Sequence, residues 1–123
     1  MEPIKVYIYT VSGCEMAGDV TQLVHAVIKE IGMKKVEVYH KTVLDQKDAE
    51  NKRFLGSPTV MIDGIDVEWS PIDNDFAYGC RLYRSCDHIV RCPSSENIRE
   101  SLIAAGANRM RRQWINRTGN TCG

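Results

Sequence analysis

Cys14 stands where a sequence most readily builds a reactive thiol. Before it, Ile4-Lys5-Val6-Tyr7-Ile8-Tyr9-Thr10 alternates in β-branched and aromatic residues, as a strand does, and Ser12-Gly13 breaks that run. After it, Val20, Leu23, Val24, Val27, Ile28 and Ile31 recur at three- and four-residue spacing, the apolar face of a helix. A cysteine between the two sits near the free N–H groups of a helix start, which favour a negative sulfur, and the thiolate is the form that attacks a disulfide. Glu15 and Asp19, in the same turn, oppose that charge.

Cys80, Cys86 and Cys92 are spaced six residues apart, with His88 between the last two. Three thiols and an imidazole are a zinc donor set, but the short Cys-x-x-Cys knuckle is missing, so no metal site is assigned. The alternative is that one or two of them are half-buried and the others, like Cys122, incidental. His25 reads as a helix-surface or core-edge residue, and His40 ends a strand without a nameable partner.

The elements around Cys14 follow in order. The first helix should stop at Gly32, and Lys35 to His40 alternates as a second strand, parallel to the first across a right-handed βαβ crossover. A polar helix spans roughly Leu44 to Phe54, capped by Thr42 or Asp45 and ended by Gly56. Pro58 to Ile62 is a third strand, Asp63-Gly64 a two-residue hairpin turn, and Ile65 to Glu68 the returning strand. From Trp69 to Ser94 the pattern weakens to a surface loop and a small hairpin, Cys80 to Arg84 with His88 to Arg91. Pro93-Ser94-Ser95 opens a last helix with Ile98, Leu102 and Ile103 inward and Gly106 near its end. Arg109, Arg111, Arg112 and Arg117 follow in a basic tail, from about residue 107 on, which either extends the helix or leaves it, and which is able to touch an acidic partner.

The 123 residues suit one domain, 1–123, with a single core. Sixteen basic residues balance sixteen acidic ones, which gives no reason to expect nucleic acid or an anionic membrane. No stretch approaches the ~20 apolar residues of a membrane span. If the chain is complete, its start lacks a cleavable leader, and the expectation is a cytoplasmic protein with reduced cysteines.

With Cys14 after the first strand and Gly56-Ser57-Pro58-Thr59-Val60 opening the third, the chain resembles the thioredoxin-like superfamily. The resemblance covers the chain apart from the insert, about 69–94, and the tail. It implies an α/β three-layer sandwich, with a central mixed four-stranded sheet flanked by helices. It also implies that Cys14 is the attacking thiol, that Pro58 follows a cis peptide bond, and that Gly13, Ser57, Pro58 and Thr59 meet the substrate, with Ser57 lending its backbone N–H and C=O. The family's second cysteine would be at position 17, where this chain has Ala17, native or a replacement. Such a site forms a mixed disulfide and cannot resolve it from that position. Cys80 is the alternative resolving thiol. Glutaredoxin-like members bind glutathione around a Gly-Gly turn before the last helix, where this chain carries a loop with Trp69, Tyr78 and Tyr83. The Gly56–Val60, Asp63–Glu68 and Tyr78–Tyr83 stretches are also similar to small thioredoxin-like proteins associated with mercury resistance.

The expected function is thiol–disulfide exchange without a cofactor. The expected partners are a protein or small-molecule disulfide and a thiol reductant. The rivals are a carrier of a soft ion such as mercury or copper(I), using Cys14 and one insert cysteine, and an interaction module that has lost the chemistry.

Overall fold

The computed structural model describes residues 2–68, 76–85 and 88–118. The expected loop around Trp69 to Asp75, with Cys86 and Cys122, lies outside them, as do the side chains of His88 and Arg117. Four strands form one sheet: β1 (Ile4–Val11), β2 (Val36–Val43), β3 (Thr59–Ile62) and β4 (Ile65–Asp66), in the order β2-β1-β3-β4. β1 and β2 are parallel, while β3 runs antiparallel to β1 and pairs with β4 across the Asp63-Gly64 turn. Both turn residues have positive φ, 54° and 82°, as a tight hairpin of this length requires. Three helices complete the α/β fold: α1 (Ala17–Ile31), α2 (Gln46–Lys52) and α3 (Ser95–Thr118).

Alternation along β1 divides the protein. Ile4, Val6 and Ile8 face α1 and α3, and pack with Val20, Val24, Val27, Val60, Ile62, Ile98, Leu102 and Ala105 into the main core. Each valine, leucine or isoleucine among them, once buried, contributes about 1.5–3 kcal/mol. The opposite face carries Tyr9 and Val11, which pack on a smaller cluster of Val43, Ala49 and Phe54 from the α2 side. Farther along that face Tyr7 stacks on Tyr39 at 5.2 Å between ring centres. α1 and α3 run the same way: Cys92, just before α3, is close enough to Asp19 in the first turn of α1 to feel its charge, and Gly106 meets Met33 beyond the end of α1.

Several boundaries differ from those the sequence suggests. Gly32 does end α1, in the left-handed conformation with its N–H on the Ile28 and Lys29 carbonyls. Asp45 does cap α2, accepting from the Asp48 N–H at 2.8 Å. α2 stops earlier, however, at a left-handed Arg53 rather than at Gly56, because the Phe54 N–H turns back to the Ala49 carbonyl and Phe54 drops into the core. β2 runs on past His40 to Val43. α3 runs past Gly106 to Thr118, so the basic stretch extends the helix, the first of the two alternatives its sequence leaves, and a Cβ at Gly106 would press on Met33 Cε at 3.0 Å. Ile103 is exposed, and Ala105 takes the inward place.

The basic tail is also reassigned at its first member. Arg109 is buried, holds both carboxylate oxygens of Asp63 at 2.6 and 2.7 Å, and donates to the Glu2 and Pro3 carbonyls. A helical position facing inward, opposite a turn carboxylate, converts a seemingly free charge into a clamp. Arg111 and Arg112 remain exposed.

Candidate functional site

Cys14 is half-exposed, three residues ahead of the first residue of α1. Its position follows from two successive turns. The Cys14 N–H returns to the Val11 carbonyl at 3.2 Å across Ser12-Gly13, with Gly13 at φ 79°, where a side chain would be strained. The Cys14 carbonyl then accepts from the Ala17 N–H at 3.3 Å. A tight turn, rather than the helix itself, therefore carries the thiol. Ala17 is the first helical residue and half-buried, so position 17 offers no sulfur.

The loop before β3 lies against this turn. Continuing the β1–β3 register by two residues brings Ser57 opposite Val11, and there a side chain completes the ladder: the Val11 N–H donates to Ser57 Oγ at 3.1 Å. The Ser57–Pro58 peptide bond is cis. Ser57, Pro58 and Thr59 are all buried, and Thr59 Oγ1 donates to the Gly56 carbonyl within the loop. Of the residues expected to meet a substrate, Gly13 and Cys14 are open to solvent and these three are covered.

The insert covers them. Its residues Phe76 to Arg81 run over the α2 side of the sheet, and β5 (Tyr83–Ser85) and β6 (His88–Val90) then form the expected small hairpin, beginning at Tyr83 rather than Cys80. Cys80 instead makes an isolated parallel bridge to Ser57. The Ser57 N–H donates to the Gly79 carbonyl at 2.6 Å, and the Ser57 carbonyl accepts from the Arg81 N–H at 2.9 Å. The backbone groups of Ser57 thus bind the protein's own chain.

Side chains fasten the segment down. Arg81 Nη1 donates to Asp66 Oδ2 at 2.6 Å and to Thr59 Oγ1 at 3.2 Å, and its guanidinium lies over the Tyr83 ring at 4.5 Å. The Tyr83 hydroxyl donates to the Pro58 carbonyl, and burial pushes that phenol far above its ordinary range, so it stays a donor. Gln46 holds the other end, accepting from the Tyr78 N–H at 3.0 Å and donating to the Phe76 carbonyl at 2.8 Å. Gly56 is glycine because Arg81 is so near: a Cβ there would fall 2.7 Å from Arg81 Cβ.

Two further groups approach Cys14. Arg91 Nη1 meets Glu15 Oε2 at 3.2 Å, beside the turn that carries the thiol. Cys92 is half-buried against the main core, and burial, then the charges of Asp19 and Cys14, push its thiol up. Sequence spacing groups Cys92 with Cys80 and Cys86, whereas the fold sets it, like Cys14, just ahead of one of two helices that start at one end of the sheet. Among the described residues no group of three or more His, Cys, Asp or Glu could hold a metal ion. Cys86 and the His88 side chain of the considered zinc set lie outside them. Also among the described residues, no helix is long and apolar enough to cross a membrane. An apolar groove lined by Ile4, Met33, Ile103 and Met110 lies at the opposite end of β1 from Cys14.

No protein-family model matches this sequence, and a search of curated proteins gives no significant match.

Proposed function

We propose that the protein is a thioredoxin-like thiol–disulfide exchange protein that works through Cys14. The observation that carries this reading is the half-exposed Cys14 on a turn tied, through Val11 and Ser57, to the loop before β3. The sheet order, with β1 and β2 parallel and a β3–β4 hairpin beside them, supports the same reading.

The Cys14 thiolate attacks one sulfur of a disulfide RS–SR. A Cys14–SR bond forms, the S–S bond breaks, and RS⁻ leaves and takes a proton from water. Ala17 cannot expel the second half, so the adduct persists until an external thiol attacks it and restores Cys14. The partners are then a disulfide substrate and a thiol reductant, in a reducing, cytosolic setting. Incubating the reduced protein with bis(2-hydroxyethyl) disulfide and mapping the adduct by mass tests this. The expected result is modification at Cys14, lost in Cys14→Ser and reversed by dithiothreitol. A Cys14 that reacts no faster than free glutathione refutes it.

The placement of Cys14 and Cys92 just ahead of α1 and α3 favours one second reading, a soft ion held between two sulfurs. Equimolar binding of Hg(II), strongly weakened in both Cys14→Ser and Cys92→Ser, would mark that function. Binding that survives either substitution would exclude it.

A further inference from the structure

We infer that the Gly79–Arg81 segment is a built-in strand filling the place of an extended peptide, so that Cys14 exchanges with small disulfides and not with cysteines in extended polypeptide. The inference rests on the exchange reading above and adds its substrate class.

A polypeptide that docks beside a thiol gains most of its hold by adding as a strand, through backbone hydrogen bonds to a free N–H and C=O. Next to Cys14 those groups belong to Ser57, and both are engaged: the N–H with Gly79 and the carbonyl with Arg81. Cys80, between them, makes the bridge to Ser57 that a docked residue would make. The protein thus already holds, within its own chain, the contact a peptide would seek.

Displacing this strand requires more than two backbone bonds. Arg81 would have to leave Asp66, with both side chains at least nine-tenths buried, and lift from the Tyr83 ring. Asp66 would then lose the cation it is paired with, a loss that water only partly offsets. No slack exists between the strands, because Arg81 touches Gly56 where even a methyl group would not fit. Upstream, the Ala77 N–H is bound to the Phe54 carbonyl at 3.0 Å, and Gln46 grips Phe76 and Tyr78. Cys14, by contrast, is only partly covered on its turn. A small disulfide needs only that sulfur and a line of approach.

The test uses the full chain and two disulfides with the same leaving group. One is bis(2-hydroxyethyl) disulfide. The other is a linear ten-residue peptide whose central cysteine is capped by 2-mercaptoethanol. Rates of 2-mercaptoethanol transfer or release at Cys14 are followed by digestion and mass, each divided by the rate for free glutathione to remove intrinsic reactivity. The normalised rate for the small disulfide should exceed that for the peptide by at least about tenfold, since the peptide has no backbone partner to dock on. In Arg81→Ala, which frees the strand, the gap should close to within about threefold.

Equal normalised rates in the unaltered protein would overturn the inference while leaving exchange at Cys14 intact. A gap that Arg81→Ala leaves unchanged, in a variant shown by circular dichroism to be folded, would overturn it too. The comparison in the unaltered protein decides the matter even if the variant is unstable. Failure of both disulfides to react faster than glutathione removes the exchange reading and this inference with it.

Discussion

Two buried arginines clamp the same hairpin, and they do so for different ends. Arg109 reaches from α3 to Asp63 in the β3–β4 turn, with two hydrogen bonds to the carboxylate and two to the carbonyls of Glu2 and Pro3. Arg81 reaches from the insert to Asp66 at the end of β4, with one hydrogen bond to the carboxylate and one to Thr59. The chemistry is alike, but the anchoring of each arginine's own backbone is not. Arg109 belongs to a long helix whose Ile98, Leu102 and Ala105 are part of the main core. Arg81 belongs to a short irregular segment tied down by hydrogen bonds to Ser57, Phe54 and Gln46. The first pair joins the ends of the fold, and the second closes a cover over Ser57. Breaking the first should be felt by the whole molecule, and breaking the second mainly where it occurs.

The largest expected effect is on global stability. Arg109→Ala strands Asp63 and leaves the Glu2 and Pro3 carbonyls without their donor, and should lower unfolding free energy by about 3 kcal/mol in urea titration. The rate of Cys14 with a small disulfide, per folded molecule, should not change. Arg81→Ala should cost less globally, about 1–2 kcal/mol, because the insert can lift and let water reach Asp66. Amide exchange at Ser57 and Arg81 should accelerate in that variant far more than in β1. Equal global losses in the two variants would abolish the distinction drawn here. Replacing Arg81 and Asp66 together, by Met and Leu, should recover most of the lost stability, since a buried ion pair is seldom better than apolar packing of like volume.

A pH measurement sharpens the first half of the comparison. The Arg109 guanidinium holds the Asp63 carboxyl below the usual carboxylate range. A depressed folded value means that Asp63 adds stability above its unfolded value, about 4, and loses it as pH falls through the lower folded value. Asp63→Asn keeps the positive-φ turn, which asparagine tolerates, and removes the charge. The unaltered protein should therefore exceed the variant in stability by a constant margin at neutral pH, with that margin shrinking only below pH ~4. A margin that persists at pH ~2 would assign the clamp to its backbone contacts instead.

Much of the sheet was legible in the sequence, because strand alternation and turn residues are local signals. The Val6-x-Ile8 pattern, the Asp63-Gly64 turn, and the glycine after Ile31 each carry their own physical reason. Cys14 was legible for the same cause, through the break at Ser12-Gly13. The cover over Ser57 was not. Gly56 reads as a helix stop, whereas its φ of 127° and the approach of Arg81 from 25 residues away explain it. Arg81, Tyr83 and Asp66 carry no spacing that links them, since they meet by way of a loop rather than along one element. Arg109 misled for the opposite reason. Its basic neighbours suggest a solvated stretch, whereas the helix turns this one position inward against the hairpin.

The smallest effect concerns the thiol pair beside the cover. Cys92 is pushed up first by burial and then by the charges of Asp19 and Cys14. Asp19→Asn removes one of those charges and leaves the burial, so alkylation of Cys92 by neutral iodoacetamide at pH 8 should speed up only about two- to threefold. The same substitution takes an acidic residue from the first turn of α1 and should cost about 0.5 kcal/mol, which a thermal melt would register separately. Cys14→Ser should also speed Cys92, without that stability loss. If Cys14→Ser leaves the Cys92 rate unchanged while Asp19→Asn raises it, the two sulfurs do not share a field. The soft-ion reading would then fall, whereas the exchange reading, which needs Cys14 alone, would stand.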